Sequence, residues 1–211
     1  MCGTHQPAKP YNPSLEDIRH VRFLLQVFLP FELADVILHQ AEYYCVISNE
    51  TDRPQQVQNA DHLCASTDAL SAEEVKSIVR LSVVIQGHDQ GWSSYPEDRG
   101  STRNSWTWYT LQLEGPDGVD VPMERLATNL HAVKETQTYK FEWHRGDDIV
   151  KRIQPGQSIA VWAHARYDFL VVAMRYTVLN VSYQISRMDQ SCRICAGLCV
   201  LLPIFVTNKL L

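Results

Sequence analysis

The stretch Val79-Arg80-Leu81-Ser82-Val83-Val84-Ile85-Gln86 decides how this chain is read, because Val79, Leu81, Val83 and Ile85 alternate with Arg80, Ser82 and Gln86. A period of two sends successive side chains to opposite faces of a pleated strand, one toward a core and one toward water. The same alternation returns at Tyr139, Phe141 and Trp143 against Lys140, Glu142 and His144. It returns again at Ile159, Val161 and Ala163 against Ser158, Ala160 and Trp162. Strands wet on one side pair antiparallel. Phe169 to Tyr183 is β-branched and aromatic, suiting a long bent strand or two.

The punctuation agrees. Gly115-Pro116-Asp117-Gly118 is a turn by composition, and Gln154-Pro155-Gly156-Gln157 has the Pro and Gly of a type II turn. Residues 75–185 are therefore expected to form a mainly β domain, an antiparallel β-sandwich of jelly-roll or galactose-binding-like type.

Working toward the N-terminus, residues 48–74 are polar, with Asn49, Asp52, Pro54 and Asn59, and are expected to be a linker or long surface loop. Ser71 with Glu74 is spaced to cap a short helical turn at its end. Residues 14–47 read as a helical pair. Ser14 and Asp17 suit a capping box, and Leu15, Ile18, Phe23 and Val27 recur at helical spacing. Pro30 breaks the run and suits the first turn of a second helix, on which Ala34, Ile37, Leu38, Ala41 and Tyr44 form an apolar stripe. The Leu29-Pro30-x-Glu32-Leu33 opening is F-box-like, the pattern of a short helix that docks an adaptor protein. Residues 1–13 are expected to be disordered.

The last block, residues 186–211, holds a thirteen-residue apolar run, Ile194 to Val206, with Pro203 inside it. A membrane-spanning helix needs about 20 residues. The run is expected to be a packed helix, a membrane-touching patch or a segment foreign to the fold.

Composition narrows the function. The chain has 211 residues, 45% hydrophobic and 20% charged, as a globular protein does. Its net charge of −5 and lack of a basic run argue against nucleic acid, whose phosphates need clustered Lys and Arg. Met1 to Ser14 is polar and carries no apolar leader, so a cytoplasmic location is expected and the sequons at Asn49 and Asn180 are expected to be idle. Cysteines 2, 45, 64, 192, 195 and 199 form no disulfide framework. Cys192-x-x-Cys195 with Cys199 lacks the second ligand pair of a zinc ribbon.

The candidate site lies between the strands. Gly87-His88-Asp89-Gln90-Gly91-Trp92 opens a long polar loop that closes at Arg103-Asn104-Ser105-Trp106-Thr107-Trp108-Tyr109. Long ordered loops in compact domains tend to be functional. On the strand that follows, Tyr109, Leu111 and Leu113 make the core face, and Trp106 and Trp108 lie on the other. There they could offer a flat apolar platform to a sugar, a ring or a peptide. The alternative is that the loop folds back over both indoles. Expected ligand-binding residues are His88, Asp89, Gln90, Trp92, Trp106, Trp108 and Arg166. His88 and Asp89 could also serve a metal or hydrolytic centre. No zinc-ligand spacing and no nucleophile elbow supports one, and Asp89 and Gln90 equally suit backbone hydrogen bonds within the loop. No catalytic residue, metal or cofactor is expected.

Together with Leu126-Ala127-Thr128-Asn129-Leu130-His131-Ala132 and Ala163-His164-Ala165-Arg166-Tyr167, these motifs resemble a group of uncharacterised fungal β-sandwich proteins. Those carry Ser-His-Asp-Gln-Gly-Trp and Ser-Trp-Thr-Trp-Phe motifs, and many have a Leu-Pro-Pro-Glu-led helix, here Leu29 to Tyr44. Gly87 stands where the family has Ser, and Asp168-Phe169-Leu170 where it has a Gly-Trp stretch. The resemblance covers most of residues 28–183 and implies a sandwich with a shared loop. It implies no reaction.

Three functions are consistent with these readings. The first is a non-catalytic module binding a small molecule, glycan or protein through the Trp-rich loop face. The second is an F-box-like adaptor recruiting a client to a ubiquitin ligase. The third is a metal-dependent or hydrolytic enzyme using His88 and Asp89.

Overall fold

The computed structural model describes residues 12–51, 55–116, 120–166 and 171–183. It is mainly β, with two antiparallel sheets and two N-terminal helices. The helices are α1 (Leu15–Gln26) and α2 (Phe31–Gln40), and β1 (Cys45–Thr51), β2 (Gln55–Gln58) and β3 (Asp61–Ser66) follow. A short helix α3 (Ala72–Ser77) leads into β4 (Ile78–His88). Then come β5 (Thr107–Glu114), β6 (Asp120–Thr128), β7 (Gln137–His144), the one-turn helix α4 (Asp148–Lys151), β8 (Ser158–Ala165) and β9 (Val171–Tyr183).

One sheet runs β1-β9-β4-β7, with β2 also pairing β9; the other runs β3-β8-β5-β6. One core joins the inner faces of both. Leu81, Val83, Ile85, Leu179 and Val181 from the first sheet pack with Tyr109, Leu111, Leu113, Ile159 and Val161 from the second. All are at most 2% exposed, so the aliphatic face expected of residues 109–113 is the core face.

Three expectations are corrected. The stretch 48–74 is not a linker: it contributes β1, β2 and β3 and ends in α3, whose Ser71–Glu74 capping box forms as its sequence suggests. In β4 the inward set begins at Ile78, because the register slips between Ile78 and Arg80 and leaves Val79 half-buried. Tyr139, Phe141 and Trp143 are only half-buried against the core, because β7 is an edge strand.

The outer edge strand β1 is blunted locally. Asn12 accepts from Val46 N–H at 3.2 Å and donates to its carbonyl at 3.0 Å, occupying backbone groups that an open edge would offer to another strand.

The helical pair rests on few contacts. Ser14 and Asp17 complete the capping box of α1, with Ser14 Oγ accepting from Asp17 N–H at 3.1 Å. Ile18, Ala34 and Leu38 are buried, and Arg22 pairs with Asp35 of α2 at 2.5 Å. Phe23, Val27 and Ile37 of the expected inward stripes are instead exposed, because each helix touches its support along a narrow line. Among the described residues no helix is long and apolar enough to cross a membrane. The expected disordered start and apolar tail lie outside the described residues, apart from Asn12 and Pro13.

Candidate functional site

The loop after β4 is built from the inside by short polar side chains. Asp89 is fully buried, and one carboxylate oxygen accepts from the Ala132 N–H at 2.9 Å. Asp98, also buried, accepts from Asn104 Nδ2 at 2.6 Å and pairs with Arg103 at 3.0 Å. His131 is hydrogen-bonded to Ser93 Oγ at 2.5 Å, and its backbone N–H donates to the Ser101 carbonyl at 2.7 Å. Asn129 Nδ2 donates to Thr107 Oγ1 at 3.2 Å. These bonds tie residues 89–104 to the segment 129–132, so the loop is a folded cap at one end of the two sheets. Gly91 has φ +86°, and a Cβ there would sit 2.7 Å from Lys134 Cβ, so the turn needs glycine.

His88 and Asp89 do not converge. His88 Nδ1 donates to the Asp89 backbone carbonyl at 2.6 Å, while the Asp89 carboxylate points at Ala132. Gln90 Nε2 donates to the Trp92 carbonyl at 2.9 Å. Asp89 and Gln90 thus bond loop backbone. Among the described residues no cluster of three His, Cys, Asp or Glu could hold a metal. Trp92 and Trp106 stand 56% and 44% exposed on the cap and at its foot.

Trp108 and Arg166 come together on the outer face of the four-stranded sheet, with residues that the sequence reading left out. Register sets one row across it as Asp61, His164 and Trp108, and the next as Leu63, Trp162 and Thr110. The Trp108 and His164 rings stack at 5.1 Å and 17°. His164 Nδ1 bonds Asp61 Oδ1 at 2.6 Å and Nε2 bonds Thr110 Oγ1 at 2.7 Å. The Asp61 carboxylate, ionised in its pair with Arg166, accepts from His164 Nδ1–H, and Thr110 Oγ1, which also accepts from Gln112 Nε2 at 3.2 Å, shares a hydrogen bond with Nε2.

Arg166 grips both Asp61 oxygens at 2.5 and 3.1 Å, and its backbone N–H donates to the Trp106 carbonyl at 3.1 Å. Hydrogen bonds from Arg166 and then from His164 hold the Asp61 carboxyl below its ordinary range against the opposing effect of desolvation. Two guanidiniums stand by the Trp108 ring: Arg125 at 4.6 Å from the centroid and Arg166 at 5.3 Å. Arg166 is neutralised by Asp61. Arg125 is exposed and has no ion pair among the described residues. Trp108 is therefore a half-buried ring clamped by cationic and imidazole groups, not the bare apolar platform expected of it.

Asp61 lay in the segment read as a loop, so this cluster was hidden. The signal that could expose it is the β8 alternation, which puts Trp162 on the water face and, extended by one step, sets His164 beside it.

No protein-family profile matches the chain, and no curated protein matches it. Among solved structures the chain is similar to Eiger TNF from S. frugiperda, at 8% identity and a TM-score of 0.40, over 68% of this chain and 96% of that one. It is also similar to infectious bursal disease virus structures. The Gx strain gives 11% identity and a TM-score of 0.37, over 67% of this chain and 37% of the viral chain. The Gt strain gives 13% and 0.30, over 74% and 49%.

Proposed function

We propose that this protein is a non-catalytic binding module of antiparallel β-sandwich, jelly-roll type, and that it takes an acidic ligand on the outer face of the β3-β8-β5-β6 sheet. One observation carries the reading: the Arg125 guanidinium lies 4.6 Å from the Trp108 centroid, exposed and without a carboxylate partner among the described residues. Asp61, the carboxylate of this cluster, is committed to Arg166 and His164. A free guanidinium beside an indole recognises a carboxylate or sulfate carried next to a flat ring. An acidic sugar has both features. Thr110 and Gln112 on the same face supply further hydrogen-bonding groups, and the exposed Trp106 extends the aromatic surface.

Tryptophan fluorescence titrated with uronic-acid oligosaccharides tests the reading, with neutral oligosaccharides alongside. The acidic series is expected to change the emission saturably and the neutral series to bind at least tenfold more weakly. An unchanged emission with both, or equal binding of both, removes the proposal.

A second reading, docking of an adaptor protein by the helical pair, is favoured by the exposure of Phe28 at 84%, Phe31 at 58% and Leu33 at 50%. Large exposed apolar patches mark interaction sites, and an apolar helix face suits a groove on a partner. Capture of an F-box adaptor, lost on changing Leu29, Pro30 and Leu33, is its expected outcome. No capture by the native chain removes it.

A further inference from the structure

We propose that the free edge of β7 is an interface with a second copy of this chain, the two β7 strands pairing antiparallel about Phe141. The other edges are blocked or irregular. Asn12 occupies β1 at Val46, β3 shifts register between Leu63 and Ala65, and β6 shifts twice against β5. β7 pairs with β4 over eight consecutive residues, Gln137 to His144, with no shift. A straight edge of that length offers its unpaired N–H and C=O groups to another strand.

The turn after β7 fixes which groups those are. Arg145 N–H donates to the Val79 carbonyl in β4 at 3.1 Å. Backbone groups alternate sides along a strand, so those of His144, Glu142, Lys140 and Thr138 face away from β4. His144 shows that parity: its N–H donates to Asp147 Oδ2 at 2.7 Å, and its carbonyl accepts from Asp147 N–H at 2.8 Å. Asp147 therefore closes one end of the edge. At Thr138, Lys140 and Glu142 no hydrogen bond among the described residues takes the outward groups.

Charge then selects the register and the partner. Two such edges pair antiparallel only where outward groups meet outward groups. Centred on Lys140 or on Glu142, the pairing sets a like charge against itself, which destabilises it. Centred on Tyr139, it sets Lys140 against Thr138 and leaves Glu142 beyond the partner strand. Centred on Phe141, it sets Lys140 of each copy opposite Glu142 of the other, twice over by the twofold axis. Each of those two pairs exchanges two backbone hydrogen bonds. Both side chains are exposed. Within its own chain Glu142 meets the exposed His144 Nε2 at 3.2 Å, and Lys140 has no ion pair among the described residues. Edge charges of one sign keep strands apart, whereas opposite charges two residues apart complement themselves. The same centre places Phe141 opposite its own copy and Tyr139 opposite Trp143. All three rings are half-buried against the core, with Phe141 and Trp143 stacked at 5.8 Å. A second β7 covers the part of each ring that the edge position leaves open.

Sedimentation of the full-length chain across the micromolar range tests this, and the native chain is expected to form a dimer. Lys140→Glu alone and Glu142→Lys alone are each expected to weaken that dimer at least tenfold, because each sets like charges opposite one another. The double exchange, Lys140→Glu with Glu142→Lys, is expected to restore it. Both positions are exposed, so all three variants are expected to unfold at the native denaturant midpoint. Three results overturn the proposal: a native chain that stays monomeric throughout, a dimer that neither single reversal weakens, which would place the contact on another surface, or a double exchange that leaves the dimer as weak as the single reversals do.

Discussion

Arg166 holds Asp61 with two guanidinium nitrogens, at 2.5 and 3.1 Å, across 105 residues of sequence. The bond joins the end of β8 to the start of β3 and leaves Asp61 with its second partner, His164. A carboxyl held below its ordinary value of 3.8 binds its proton less readily folded than unfolded. The pairing therefore adds stability above that value, which is lost as pH falls through the lowered folded-state value. Asp61→Asn is expected to flatten the acid limb of a stability–pH profile below about pH 4, leaving its slope at neutral pH unchanged. Urea denaturation at a series of pH values reads this out, and an acid limb identical to the native one refutes the role given to Asp61.

The loop cap makes a separate demand on two glycines. Gly91 and Gly100 both have positive φ, +86° and +78°, but only Gly91 has a neighbour against its missing Cβ, Lys134 Cβ at 2.7 Å. Gly100→Ala meets the left-handed backbone penalty alone, about 1–2 kcal/mol. Gly91→Ala adds a steric clash worth about 1–3 kcal/mol more. Chemical denaturation of the two variants is expected to rank Gly91→Ala as the less stable. The reverse order would mean that the turn at Gly91 is not held against Lys134.

The two-sheet plan was legible in Val79 to Gln86 because a central strand buried on one side writes its pleat into the sequence. β1 was not legible: its residues run buried, half-buried and exposed without alternating, and Ser48, Asn49 and Glu50 look like loop residues. What makes them a strand is pairing with β9, a partner about 130 residues away, and tertiary context of that kind overrides local propensity. β3 hides behind a register shift between Leu63 and Ala65. With β3 unread, Asp61 could not be set beside His164 and Arg166. The loop motif was legible as an ordered element, and Asp89 and Gln90 make backbone hydrogen bonds, one of the two readings their sequence allowed; the Asp61–His164–Trp108 cluster on the outer sheet face was not legible.

Cysteine reactivity follows from burial. Cys45 and Cys64 are both buried, and desolvation pushes the Cys64 thiol up to about 12. The thiolate is the reactive form, so Cys64 is expected to resist maleimide at pH 8 in the folded protein and to react fully in urea. Mass spectrometry of digested, labelled protein reads each position. Rapid native labelling of Cys64 would place β3 away from the core.

Arg125 separates binding from folding. It is exposed, and its guanidinium lies over the Trp108 ring with no ion pair among the described residues, so Arg125→Gln is expected to change unfolding stability by no more than about 0.5 kcal/mol. The same substitution removes the one guanidinium among the described residues of this face that has no carboxylate partner, and is expected to weaken acidic-ligand binding at least tenfold. Arg166→Gln should behave differently. It strips Asp61 of a bidentate partner, so the fold is expected to lose stability together with binding. Paired denaturation and fluorescence titrations on the two variants distinguish the roles. If Arg125→Gln binds as the native chain does, the anion is not held at Trp108.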